Sequence, residues 1–145
     1  MDFMRKLILP LVLLAFAGCS GAEAPPKTTK IEGTVTYKGA PLPKGRVTFE
    51  PEAAGDKKNP TRPATGPIEN GKFTVSTFVQ GDGALPGTYR VAVESVEEVS
   101  MEDFNAGKRD KPLIPKKYAV GKTSGLAVKV PDQSEPYAAT LEIKD

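Results

Sequence analysis

The residue best placed to do chemistry is Cys19, the only cysteine among 145 residues. It follows a basic start (Met1–Lys6), an apolar run from Leu7 to Phe16, and the small pair Ala17-Gly18. A charged beginning, an apolar middle and a small-residue exit are the parts of a secretory signal peptide, and the thiol falls where such a leader is cut. The run is half the length of the ~20 residues that cross a bilayer, so it is not a stable transmembrane helix. From these residues alone, Cys19 is either the first residue of an exported chain or a small buried side chain in an uncleaved segment. The order of the parts favours export.

Elsewhere the absences decide more than the presences. The chain has no histidine, so it holds no Ser-His-Asp or Cys-His arrangement and no imidazole metal ligand. Carboxylates remain. Asp82 stands between Gly81 and Gly83, superficially like part of a calcium loop, but such a site needs six to eight oxygens. An Asx-type turn is the plainer reading. Glu97, Glu98, Glu102 and Asp103 form an acidic patch or, if folded together, a general acid/base pair; a solvated loop is the simpler alternative. Lys116 and Lys117 close a basic stretch from Lys108 that would suit anionic headgroups or cell-wall polymers, or lie free in solvent. Of the tyrosines, Tyr118 and Tyr137 are the candidate exposed platforms for a sugar ring, whereas Tyr37 and Tyr89 fall on apolar strand faces. No metal and no cofactor is expected.

Composition bounds what these residues stand on. A formal net charge of +2 argues against nucleic acid as a general partner. Fourteen glycines, 14 prolines and no tryptophan favour short strands and many turns over long helices. Residues 20–30 are small, polar and proline-containing, as in an extended tether. From Ile31 the pattern alternates. Ile31, Gly33, Val35 and Tyr37 share one face, with Glu32, Thr34 and Thr36 opposite, as in a half-buried strand. Further strands are expected at Arg46 to Glu50, Ala64 to Ile68, Lys72 to Phe78, Thr88 to Val96, Leu126 to Val130 and Ala139 to Ile143. Asn70-Gly71 is the strongest hairpin signal. Glu52 to Arg62 and Glu97 to Lys117 read as loops, the second with a helical turn near Ser100 to Ala106. In that second loop Met101, Phe104, Leu113 and Ile114 are the residues expected to pin it to the core. Seven short strands suggest an antiparallel sandwich of immunoglobulin-like type.

Two resemblances add to this reading. The segment ending in Ala17-Gly18-Cys19 resembles the lipobox of bacterial lipoproteins, with Phe16 where leucine is commonest. The resemblance implies a leader over residues 1–18, a diacylglyceryl group on the Cys19 sulfur and an acyl chain such as palmitate on its new amine. Ser20, in place of an aspartate, then points to the outer membrane more than the inner. The stretch from Ile31 to Pro43, together with Gly83-Ala84-Leu85-Pro86-Gly87-Thr88-Tyr89-Arg90-Val91, resembles carboxypeptidase-regulatory-like domains. Ile114 to Tyr118, followed by Thr123 to Leu126, is similar to the tail of small exported lipoproteins with that domain. This second resemblance implies a prealbumin-like (transthyretin-like) seven-stranded β-sandwich over residues 31–145, after a lipidated tether at 19–30, and brings no catalytic residues.

The expectation is therefore an exported, non-enzymatic β-sandwich lipoprotein of the cell membrane or outer membrane. Its role would be interaction or structure at the cell envelope. Its partners would be the lipid bilayer through acylated Cys19 and an envelope protein or polysaccharide. Asp82, Tyr118, Tyr137, Lys116 and Lys117 are the contact candidates. The alternative is a glycan- or peptide-binding module of the cell surface.

Overall fold

A computed structural model describes residues 24–53 and 61–145. The expected leader, Cys19 and the start of the tether lie outside the described residues, as does most of the loop expected at 52–62. Among the described residues ten strands form: β1 (Ile31–Tyr37), β2 (Ala40–Pro41), β3 (Lys44–Pro51), β4 (Ala64–Glu69), β5 (Lys72–Thr74), β6 (Gly87–Glu94), β7 (Val96–Glu97), β8 (Lys111–Pro112), β9 (Ala127–Val130) and β10 (Tyr137–Ile143). Two short helices, α1 (Met101–Asn105) and α2 (Gly121–Ser124), and a 3₁₀ turn at Lys116–Ala119 complete the described elements.

The fold is all-β. Seven strands run in the order β10-β1-β5-β4-β3-β6-β9, with β2 paired to β1, while β7 and β8 make a separate ribbon. The main sheet curls so that its inner side chains share one core. Ile31, Val35, Val47, Phe49, Phe73, Val75, Tyr89, Val91, Val93, Val128, Leu141 and Ile143 are all buried there. These are the apolar phases of their strands, and a one-residue slip would turn each set outward. Leu126, expected among them, is only partly buried at the margin.

The expected antiparallel order fails at one place. β1 and β10 pair in parallel, Ile31 opposite Tyr137 through Tyr37 opposite Ile143. Two strands far apart in sequence can pair either way, because no tight turn between them fixes their direction.

Two glycine positions explain local geometry. Asn70 and Gly71 both have positive φ, 50° and 75°, the type I′ pair that joins β4 to β5 in a two-residue hairpin. Gly33 lies in the inward phase of β1, where the Phe73 ring occupies the place a Cβ would take. Phe73 then stacks 6.1 Å from Phe49, which sits 5.9 Å from Tyr89. Aromatic pairs at these spacings add to the area they bury.

The strand expected over Lys72 to Phe78 stops at Thr74. Ser76 still bridges Thr65, but the chain then turns into a loop that Asp82 organises. The strand expected through Val96 breaks at Ser95, whose hydroxyl donates to the Lys44 carbonyl at 2.6 Å. The packed fold also begins before Ile31. Thr29 is buried, bridges Ala84, and donates its hydroxyl to Pro131 O at 2.7 Å. Two residues read as tether therefore belong to the folded unit.

Candidate functional site

The sheet has two ends of different character. β1 and β10 start at one end, and the strands of the sheet that run opposite to them, β5, β3 and β9, finish there. The chain enters at this end through Lys27, paired with Asp132 at 3.2 Å, and Thr29. At the other end β6 finishes and an arm leaves the sheet. Its base is the Ser95 carbonyl, which accepts from Leu113 N at 2.9 Å. Its stem is the β7–β8 ribbon and its tip is α1.

The arm forms because local polar contacts organise it. Ser100 caps α1 by accepting from Asp103 N at 3.1 Å, which satisfies one of the amides that a helix start leaves open. Asp103 pairs with Lys108 at 2.7 Å, and Asp110 accepts from Val99 N at 3.1 Å. No residue of α1 is buried. Met101 is 76% exposed and Phe104 51% exposed, so these two do not pin the arm, contrary to expectation. The physical reason is a local substitute: the Arg109 guanidinium lies 4.8 Å from the centre of the Phe104 ring, a cation–π contact that needs no core. Ile114 does pack into the core, and Leu113 is partly buried. Among the described residues, no three His, Cys, Asp or Glu side chains gather in a metal-binding group. Of the arm's carboxylates, Asp103 and Asp110 are committed to contacts within it.

The contact candidates scatter. Asp82 is committed to its own loop: its carboxylate accepts from Thr77 N at 2.7 Å, Phe78 N at 3.0 Å and Val79 N at 3.2 Å. Three amide donors leave it little capacity for a ligand. Tyr118, expected as an exposed platform, is 5% exposed and part of the core. Its hydroxyl donates to Lys144 O at 2.9 Å and accepts from Lys144 N at 3.0 Å, so its polar end is satisfied without water. Lys117 lies over the Tyr118 ring at 5.0 Å, and Lys116 is exposed beside it. Tyr137 is half-buried at the start of β10, at the opposite end of that strand from Lys144, with its amide donated to Lys30 O at 2.8 Å. The two tyrosines make no common platform.

Tyr37, Lys38 and Asp145 form an exposed polar contact that the sequence did not mark. Asp145 accepts from the Tyr37 hydroxyl at 2.8 Å and pairs with Lys38 at 2.7 Å. The hydrogen bond from Lys38, then that from Tyr37, holds the Asp145 side-chain carboxyl below its ordinary range. The same bond to Asp145 raises the Lys38 ammonium. In the core, burial pushes the Tyr89 phenol upward, and its hydroxyl donates to Leu85 O at 2.8 Å.

Open grooves lie among the described residues. One is a groove of about 630 Å³ within the arm, lined by Glu97, Ser100, Asp103, Lys108 and Asp110 among others. Another is a groove of about 870 Å³ on the outer face of β1, β4 and β5, reaching Ala138 on β10. Among the described residues, no helix is long and apolar enough to cross a membrane. Comparisons with models of protein families, with characterised proteins and with solved structures find no match to this chain.

Proposed function

We propose that this chain is an exported, lipid-anchored and non-enzymatic β-sandwich that serves an interaction or structural role at the cell envelope. One observation carries the reading: the lone thiol at the exit of a leader-like segment, a short stretch ahead of the residue where the fold begins. Acylation of Cys19 would attach several chains, each holding the membrane by ~0.8 kcal/mol per buried methylene. Residues 20–28 then act as the spacer. At ~3.1 Å per residue in an extended conformation, it sets the domain up to roughly 30 Å from the bilayer.

The geometry of the domain supports an interaction role over a chemical one. The entry of the chain is at one end of the sheet and the arm at the other, so an anchored domain presents Met101 and Phe104 away from its tether. Exposed apolar side chains on a locally braced arm suit contact with another protein. Asp82, Asp103 and Asp110 are engaged in holding their own loops.

The test is recovery of partners from native membranes by crosslinking to the full-length protein and to a variant with residues 100–109 replaced by a short glycine-serine turn. The reading expects the variant to fold, to remain in the membrane fraction and to lose at least one partner. An identical partner set from both proteins would contradict the arm's role. Turnover of an envelope substrate by the purified chain would contradict the non-enzymatic reading.

A further inference from the structure

We infer that the free edge of β10 is a docking site for a short extended peptide of a partner protein, added as a strand with a lysine or arginine over Ala138. The inference deepens the interaction role proposed above and rests on it for its setting.

Backbone direction comes first. Tyr137 N donates to Lys30 O, and Ile143 O accepts from Lys38 N. By the alternation of a strand, Tyr137, Ala139, Leu141 and Ile143 turn their polar backbone groups toward β1. Ala138, Thr140 and Glu142 turn theirs the other way. All three are exposed, and among the described residues β10 pairs with no strand but β1. Among the described residues, none bonds to their amides. An edge with three consecutive unpaired sites is a template for another strand.

The edge has defined limits. At one end Pro136 offers no N–H. At the other, the Tyr118 hydroxyl takes both polar backbone groups of Lys144. The free sites run from Ala138 to Glu142, five residues and roughly 17 Å of strand. At one strand spacing of ~4.8 Å, such an edge covers on the order of 100 Å², far below the ~800 Å² per partner of a stable protein–protein interface. A short peptide fits this edge better than a second folded copy.

Charge selects the peptide. Ala138 sits opposite Glu32 in the β1–β10 register, and both line the outer groove. Glu32 is exposed and makes no ion pair or hydrogen bond with any described residue. The alanine methyl leaves a low point in the edge strand. A long basic side chain on an added strand would cross it and reach the Glu32 carboxylate.

The probe is an acetylated, amidated heptapeptide of alternating valine and threonine with one lysine, titrated into the full-length protein in detergent. Binding should slow amide exchange at Ala138, Thr140 and Glu142 and leave the inward-facing amides of β10 unchanged. N-methylation of the peptide amides that face the edge should weaken binding by at least ~tenfold, without altering the protein. Thr140→Pro should do the same, because the amide it removes bonds nothing in the sheet. Glu32→Gln should weaken the lysine peptide several-fold and leave an alanine version of the peptide unaffected. Equal binding by the N-methylated peptide, or no binding at millimolar concentration, would overturn the site. Self-association that Thr140→Pro abolishes would overturn the peptide as occupant in favour of a second copy. None of these readouts depends on acylation. Failure of the peptide with an intact anchor sinks only the docking site, and an unacylated chain that binds it sinks only the anchor.

Discussion

The Tyr118 hydroxyl closes a pair of hydrogen bonds with Lys144, donating to its carbonyl at 2.9 Å and accepting from its amide at 3.0 Å. A residue of the long connection between β6 and β9 thereby fixes the end of β10. Tyr118→Phe keeps the ring in the core and leaves both Lys144 backbone groups without their partner. The expected loss is ~1–3 kcal/mol in urea denaturation, with faster amide exchange at Lys144. An unchanged midpoint would mean that water replaces the phenol at no cost.

Phe73 and Gly33 form a second dependent pair, because the ring fills the space where a Cβ would sit. Phe73→Ala should cost ~3–5 kcal/mol. Gly33→Ala should also destabilise, since the ring must move. In the double variant the added methyl enters the cavity that the ring vacated, so the two costs should sum to less than their separate values. Strict additivity would show that Phe73 does not lie on Gly33.

The pH dependence follows from three groups. The folded Asp145 carboxyl is depressed, so its contribution is present above the ordinary carboxylate value of 3.8 and is lost as pH falls through the folded value. The folded Lys38 ammonium is raised, so its contribution is present below 10.5 and is lost as pH rises through the folded value. Tyr89 is raised by burial, which penalises its charged form, so the fold loses stability as pH rises above 10.0 towards the folded value. Asp145→Asn should flatten the acid limb of a stability–pH profile and leave the Tyr89 part of the alkaline limb in place. An acid limb of unchanged steepness would remove the Tyr37–Lys38–Asp145 contact from the account.

Local chemistry made much of the fold legible. Alternation placed Ile31, Val47, Phe49, Val91 and Val93 inside, and Asn70-Gly71 gave the hairpin its loop. The capped turn after Ser100 was readable from the same kind of signal. What depends on distant pairing was not. Nothing in the residues around Tyr137 states that β10 will lie parallel to β1, and so nothing marks Ala138, Thr140 and Glu142 as a free edge. Tyr118 read as a surface ring because its partner, Lys144, is remote in sequence. Phe104 read as a core anchor because size and hydropathy are local, whereas the cation that covers it, Arg109, works without burial. The fold's periodicity is a sequence property, and the candidate site's placement is a property of register.

The central claim is that the chain is tethered to a membrane through Cys19, and intact-mass spectrometry of protein extracted from native membranes tests it most directly. The account predicts a chain that begins at Cys19, carries acyl groups on that residue, and leaves the membrane fraction when Cys19→Ser is introduced. A native chain that begins at Met1 with a free thiol, or a Cys19→Ser protein that stays equally membrane-bound, would contradict it.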